Sequence, residues 1–205
     1  MNKFLKITAL SLALLLASAA PSLAESPRFR YGLQWGYSAK AATSLEYTFF
    51  NSYGTRISDG QPLTLDYYTN AFVSADLGIE FLDYLAFTLK AGYRGVAKDY
   101  RIMPLELQFT LFPMRYDQTG IFLFGSGGFA LYNWSMEDTI NLMSAGIGLR
   151  RNLSRKISLD GFLRGNLITC SPLPEDQYEG TIPRDRTVYS RAQHISIDLG
   201  LALYF

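Results

Sequence analysis

The sequence predicts an all-β chain: an eight-stranded antiparallel up-and-down transmembrane β-barrel, with ten strands as the alternative. Three observations predict it. Beyond an apolar leader, no run is apolar and long enough to cross a bilayer as a helix, which takes about 20 residues. Stretch after stretch instead alternates apolar and polar residues with period two. The connections between these stretches are mostly short and long in turn, the pattern of a membrane barrel whose short turns share one rim.

The leader comes first. Lys3 and Lys6 precede the uncharged run "ITALSLALLLASAA". "PSLAES" follows, with small residues Ser22 and Ala24 where a signal peptidase reads. Residues 1–24 are therefore expected to be a secretory signal peptide, cut between Ala24 and Glu25, and residues 25–205 one barrel domain. The apolar run, about 14 residues, is too short for a spanning anchor, and no cysteine near the cut suggests a lipid-modified one. The net charge of +1 gives no sign of a nucleic-acid partner. Cys170 is the only cysteine, which rules out an internal disulfide and a cysteine-rich metal site. The aromatic share of 15% and the 17 glycines suit a membrane barrel better than a soluble secreted domain.

Each strand is read from its alternation. "RFRYGLQWGYS" puts Phe29, Tyr31, Leu33, Trp35 and Tyr37 on one face and Arg28, Arg30, Gln34 on the other. "AFVSADLGIEF" sets Val73, Leu77, Ile79 and Phe81 against Ser74, Asp76 and Glu80. "LAFTLKAGYR" sets Leu85, Phe87, Leu89 and Tyr93 against Thr88, Lys90 and Arg94. "LELQFTLF" sets Leu105, Leu107, Phe109 and Leu111 against Glu106, Gln108 and Thr110. In "GIFLFGSGGFALYNW" the two faces are similarly apolar, and Gly125, Gly127 and Gly128 suggest a bulge or tight bend. "INLMSAGIGLR" faces Met143, Ala145, Ile147 and Leu149 one way. "ISLDGFLRGN" sets Ile157, Leu159 and Leu163 against Asp160, Phe162, Arg164 and Asn166. "HISIDLGLALYF" is the eighth strand.

The links "LDY" around Asp83, "PMRYDQTG" and "RNLSR" are short or fairly short, and those near residues 39–65, 95–101 and 169–190 are longer. The fifth, near Met136 to Thr139, breaks the rule by being short. "SLEYTFF" and "LTLDYY" inside the first link read as a hairpin that extends beyond the membrane, or else as two further strands. Short turns then lie in the periplasm and long loops outside.

A soluble sandwich also alternates, so the choice rests on the faces. The apolar faces are Leu, Ile, Val, Phe and Tyr throughout, as lipid requires. The polar faces carry Asp76, Glu80, Lys90, Arg94, Glu106, Asp160, Arg164 and Asp198. The interior of an eight-stranded barrel is filled by side chains, and buried charges must be paired. The expected network pairs Lys90, Arg94 and Arg164 with Glu80, Glu106 and Asp160 and closes the lumen. Tyr37, Tyr93 and Trp134 are expected to belt one rim, and Phe81, Tyr84, Phe112 and Tyr204 the other.

"LGLALYF" resembles the C-terminal signal of bacterial outer-membrane barrels, whose last strand alternates and ends on an aromatic residue. With the leader and the strand pattern, the chain resembles the small OmpA/OmpX-like "outer membrane protein beta-barrel domain" families. The resemblance implies that Leu199, Leu201, Leu203 and Phe205 are read by the barrel assembly machinery, and that the protein lies among outer-membrane lipid and lipopolysaccharide. No soluble peptidoglycan-binding domain is expected.

Candidates for chemistry are few. His194, Ser196 and Asp198 share one face, as a base, nucleophile and orienting acid would need to. Same-face neighbours on a strand stand about 6.5 Å apart, which stretches a His–Ser bond. His194-Ile195-Ser196 resembles the His-x-Ser pair of lipid A deacylase barrels, but lies on the last strand, on the lumen face, with no glutamate after it. "GSGG" at Gly125–Gly128 lacks the lysine and helix of a phosphate loop. Glu175, Asp176 and Glu179 lack calcium-loop spacing. Arg150, Arg151, Arg155 and Lys156 form a basic turn expected near lipid headgroups. The reading is therefore a non-enzymatic protein without metal or cofactor, with a structural or interaction role and a possible protein partner at its long loops. A narrow pore or transport accessory stands second and a lipid A hydrolase third.

Overall fold

The computed structural model describes residues 28–81, 84–96, 101–114, 119–132, 135–154 and 156–205. The expected leader, Asp83, Trp134 and Arg155 lie outside them. β1 spans Arg28–Phe50, β2 Arg56–Phe81, β3 Leu85–Gly95, β4 Arg101–Leu111 and β5 Gly120–Tyr132. β6 spans Ser135–Asn152, β7 Ser158–Cys170 and β10 Thr187–Tyr204, with the two-residue strands β8 (Glu175–Asp176) and β9 (Gly180–Thr181) between the last two. Eight strands close into one barrel in the order β1-β10-β7-β6-β5-β4-β3-β2, every pair antiparallel. Eight is the count, not ten. "SLEYTFF" and "LTLDYY" belong to β1 and β2 themselves, which pair up to Phe50 and Arg56.

Closure joins the last long strand to the first: Gly32 lies opposite Tyr204 and Tyr37 opposite Leu199. No edge is left in the wall, so backbone groups pair between strands nearly throughout. The outward residues are the expected ones. Phe29, Tyr31, Leu33, Trp35 and Tyr37 are exposed, and Arg30, Gln34 and Ser38 between them are buried. The same alternation runs through Leu105, Leu107, Phe109 and Leu111 on β4.

Several local expectations are corrected. β6 begins at Ser135, paired with Tyr132, so residues 136–139 are strand and not link. Gly125, Gly127 and Gly128 sit in unbroken register, and the irregularity in that hairpin lies between Ala130 and Tyr132. Gly128 is there for closeness: a Cβ would stand 2.7 Å from the Cα of Glu106. Phe112 and Tyr204 are not belt residues. Both are buried and point into the barrel, in phase with Thr110 and Ala202. Exposed Tyr37, Tyr93 and Tyr84 face outward as expected.

Inward phenylalanines and glycines pack against each other. A side chain at Gly146 would start 2.5 Å from the ring of Phe124, and one at Gly200 would start 2.9 Å from that of Phe72. Phe122 lies against Gly148, and Phe162 against Gly200, in the same way. Each glycine clears the volume that a neighbouring ring fills, and the aromatic cluster Phe72, Phe122, Phe124 and Phe162 is the result. One seam is incomplete. β3 and β4 pair at Ala91–Leu105 and again at Arg94–Ile102, but not at Gly92–Pro104 or Tyr93–Met103. Proline has no N–H to give, and one missing ladder bond removes both pairs.

Candidate functional site

The lumen is stacked in layers. Nearest the short turns, Arg150 grips Asp160 with two bonds, Nε to Oδ1 at 2.8 Å and Nη2 to Oδ2 at 2.7 Å. Arg30 and Arg150 share Oε1 of Glu80 at 2.9 and 3.1 Å. Each guanidinium also covers a ring: Arg30 lies 4.3 Å from the centre of Tyr204, and Arg150 4.4 Å from that of Phe112. The Tyr204 hydroxyl donates to Oδ2 of Asp76 at 2.8 Å.

In the next layer Lys90 donates to Gln34 at 2.7 Å and faces Asp76 at 3.8 Å. Above it, Asp198 Oδ2 accepts from Arg164 at 2.6 Å and from Arg94 at 2.9 Å. Arg164 also faces Glu106 at 3.9 Å, and Ser126 donates to that glutamate at 2.6 Å. The top layer is apolar: Val96, Ile102, Ile140, Leu142, Ile168, Cys170 and Ala192 pack together, with Leu45 against them.

The eight expected lumen charges are all buried. Their pairing differs from the expectation. Of the predicted partnerships only Arg164 with Glu106 forms. Glu80 and Asp160 lie low in the barrel and are taken by Arg30 and Arg150. Arg150 was expected near headgroups with its basic neighbours, yet it points inward and is buried. Three pairs are directly opposite on adjacent strands: Asp76–Lys90, Arg150–Asp160 and Arg164–Asp198. Register, which alternation alone leaves open, decides who pairs with whom. Within the layered part of the lumen the spaces beside Arg30, Lys90 and Phe124 and beside Arg94 and Arg164 hold about 10 Å³ each. That is room for one water.

The chemistry candidates are brought near one another but have other partners. Ser196 accepts from Asn166 Nδ2 at 3.1 Å. Asp198 is held by two arginines. The ring of His194 has Nδ1 at 3.3 Å from Thr43 Oγ1 and Nε2 at 3.7 Å from Cys170 Sγ. A serine nucleophile needs its base within about 3 Å and an acid turned to that base. Here the acid is committed to Arg94 and Arg164 and both ring nitrogens are directed at other groups.

At the other rim β1, β2 and β10 outrun their neighbours. The turn at the β1–β2 tip is shaped by Asn51, whose Oδ1 accepts from the N–H groups of Tyr53 and Thr55 at 3.0 and 2.8 Å, with Gly54 at a φ of 76°. The link from β7 to β10 folds into the β8–β9 hairpin and a 3-10 turn at Arg184–Arg186. Glu179 fastens this link to the tip. It accepts from the N–H and hydroxyl of Ser52 at 2.8 and 2.9 Å, and from Arg186 at 2.7 Å. The Ser52 N–H, then Arg186, hold its carboxyl below the usual carboxylate range. Phe49 and Ile182 are fully buried beneath, while Tyr53 and Tyr178 are about 90% and 91% exposed. Among the described residues no group of three or more His, Cys, Asp or Glu is placed to hold a metal.

No family model matches this chain, and no curated protein matches it. Solved structures resemble it in outline. The outer membrane protein AlkL in lipid bilayers shares 12% identity over 85% of this chain and 90% of its own, with a TM-score of 0.40. The outer membrane protease OmpT from Escherichia coli shares 7% over 90% and 99%, with a TM-score of 0.38. OprG of Pseudomonas aeruginosa, an outer membrane protein, shares 9% over 86% and 95%, also at 0.38. At these scores the likenesses assign no role to any residue here.

Proposed function

We propose that this chain is a small outer-membrane β-barrel that works through interactions at its long-loop rim, with a lumen closed by its own side chains. The observation that carries this reading is the built tip: β1, β2 and the β7–β10 link are tied together by Glu179, Ser52 and Arg186 and display Tyr53 and Tyr178 outward. A rigid scaffold that presents exposed tyrosines suits recognition. The paired charges and the spaces of about 10 Å³ in the lumen favour a plug over a passage. In this reading the apolar outer wall lies in lipid beside lipopolysaccharide, the short turns face the periplasm, and the last strand, with Leu199, Leu201, Leu203 and Phe205, engages the assembly machinery.

The test is mild crosslinking of intact outer membranes, followed by capture of the protein. A near-stoichiometric partner that disappears when residues 169–190 are replaced by a short linker supports the reading. Capture of the barrel alone, with steady open-channel current in planar bilayers, would overturn it in favour of a pore. A change in lipid A mass that depends on Ser196 would overturn it in favour of a hydrolase.

A further inference from the structure

A large cavity lies at one end of the barrel, below the packed lumen. It holds about 880 Å³ at the short-turn rim, within the range of small-molecule sites. Four cations line it, Arg28, Arg30, Arg150 and Lys156, against one acidic side chain, Glu80. Asp160 stands behind Arg150, and a terminal carboxylate on Phe205 would add a third negative charge. Among the described residues cations remain in excess even then. Arg30 and Arg150 are buried and engaged with acids, so they fix the floor of the cavity. Arg28 and Lys156 are exposed at its mouth, on β1 and on the turn between β6 and β7.

The opposite side of the same cavity is aromatic and belongs to the outer wall. Tyr31 and Phe205 are exposed there and stack with ring centres 5.7 Å apart. The cavity therefore straddles the rim, with a cationic interior side and a ring pair on the side that meets lipid. We infer that it binds a phosphate group, held at the mouth by Arg28 and Lys156. The chemistry is a phosphate anion met by charge-assisted hydrogen bonds, which arginine in particular makes well. Two sources carry that group: the headgroup of an anionic phospholipid, whose chains would lie along Tyr31 and Phe205, and free phosphate. The lipid source rests on the outer-membrane reading above. The phosphate site itself does not.

The experiment uses the whole folded barrel in neutral detergent, so that it does not depend on insertion into a membrane. Native mass spectrometry counts bound lipid after addition of phosphatidylglycerol or phosphatidylcholine, and inorganic phosphate is titrated in parallel. The expected result is one phosphatidylglycerol per barrel, retained at least fivefold over phosphatidylcholine. Arg28→Gln with Lys156→Gln should weaken it roughly tenfold, and Arg28→Lys with Lys156→Arg should retain it. Both residues lie outside the buried pairs, and an unchanged heat-dependent gel shift reports that the double variant is folded. Phosphate that binds where the lipid does not would support the site and name the soluble source. Equal retention of the two lipids with no phosphate binding, or a double variant that binds like the parent, would overturn the inference. Failure to locate the protein in the outer membrane would sink only the lipid source.

Discussion

Asp198 and Glu179 are both carboxylates held by arginine, one sealed in the lumen and the other partly open to water. The side chain of Asp198 is 0% exposed and accepts from Arg94 and Arg164, and that of Glu179 is 20% exposed and accepts from Arg186 and Ser52. In the lumen a lost partner leaves a charge with nowhere to go. At the tip water takes over. The first kind of pair fixes the barrel, whereas the second holds a loop in a shape that acid can release.

The comparison can be broken at its strong end. Asp198→Ala removes the carboxylate that buried Arg94 and Arg164 share, leaving Arg164 only the more distant Glu106, and is expected to cost about 3–5 kcal/mol, read from urea unfolding of the barrel in vesicles. Replacing Asp198, Arg94 and Arg164 together by apolar residues of similar size should cost far less. If the single and triple changes cost the same, the lumen is wet and its charges are not bound by pairing. A middle-sized effect lies in the wall. Pro104→Val supplies the missing N–H opposite Gly92 and should stabilise the β3–β4 seam by about 0.5–1.5 kcal/mol. Hydrogen exchange should show the new amide protected.

The smallest effect is at Glu179, where the sign follows from its lowered carboxyl pKa. A carboxyl stronger in the folded chain than in the unfolded one contributes above its ordinary pKa, and that contribution is lost as pH falls through the lowered value. The clasp between the tip and the β8–β9 link should therefore be closed at neutral pH and loosen in acid. Glu179→Gln should loosen it at every pH, with the barrel intact. Exchange at the Ser52 amide reads both. An acid response that survives in Glu179→Gln would place the sensor elsewhere.

Much of the wall was legible because alternation with period two states which face a residue takes. It correctly turned Asp76, Lys90, Arg94 and Asp198 inward. The same parity assigns Tyr204, in phase with Ala202, and Phe112, in phase with Thr110, to the interior. Aromatic character alone, which suggests a belt, does not distinguish them from the outward Tyr37 and Tyr84. Arg150 was hidden in a run of basic residues, although it is in phase with the inward Gly146 and Gly148. Pairing was not legible at all. Alternation gives a face and no height, and height is what separates Glu80 from Lys90 and joins it to Arg30 and Arg150. The β8–β9 hairpin is too short to show any period, and Glu179 meets Ser52 across 127 positions of chain.

The fit of rings onto glycines inside the barrel bears on how such a chain can be inherited with change. Phe162 cannot shrink without leaving a hole over Gly200, and Gly200 cannot gain a methyl without driving into that ring. The same constraint joins Phe124 to Gly146 and Phe122 to Gly148. Neither member of a pair is free to drift alone. Descendants of this sequence should keep the two together or exchange them together, so that each couple is passed on as a single two-letter word.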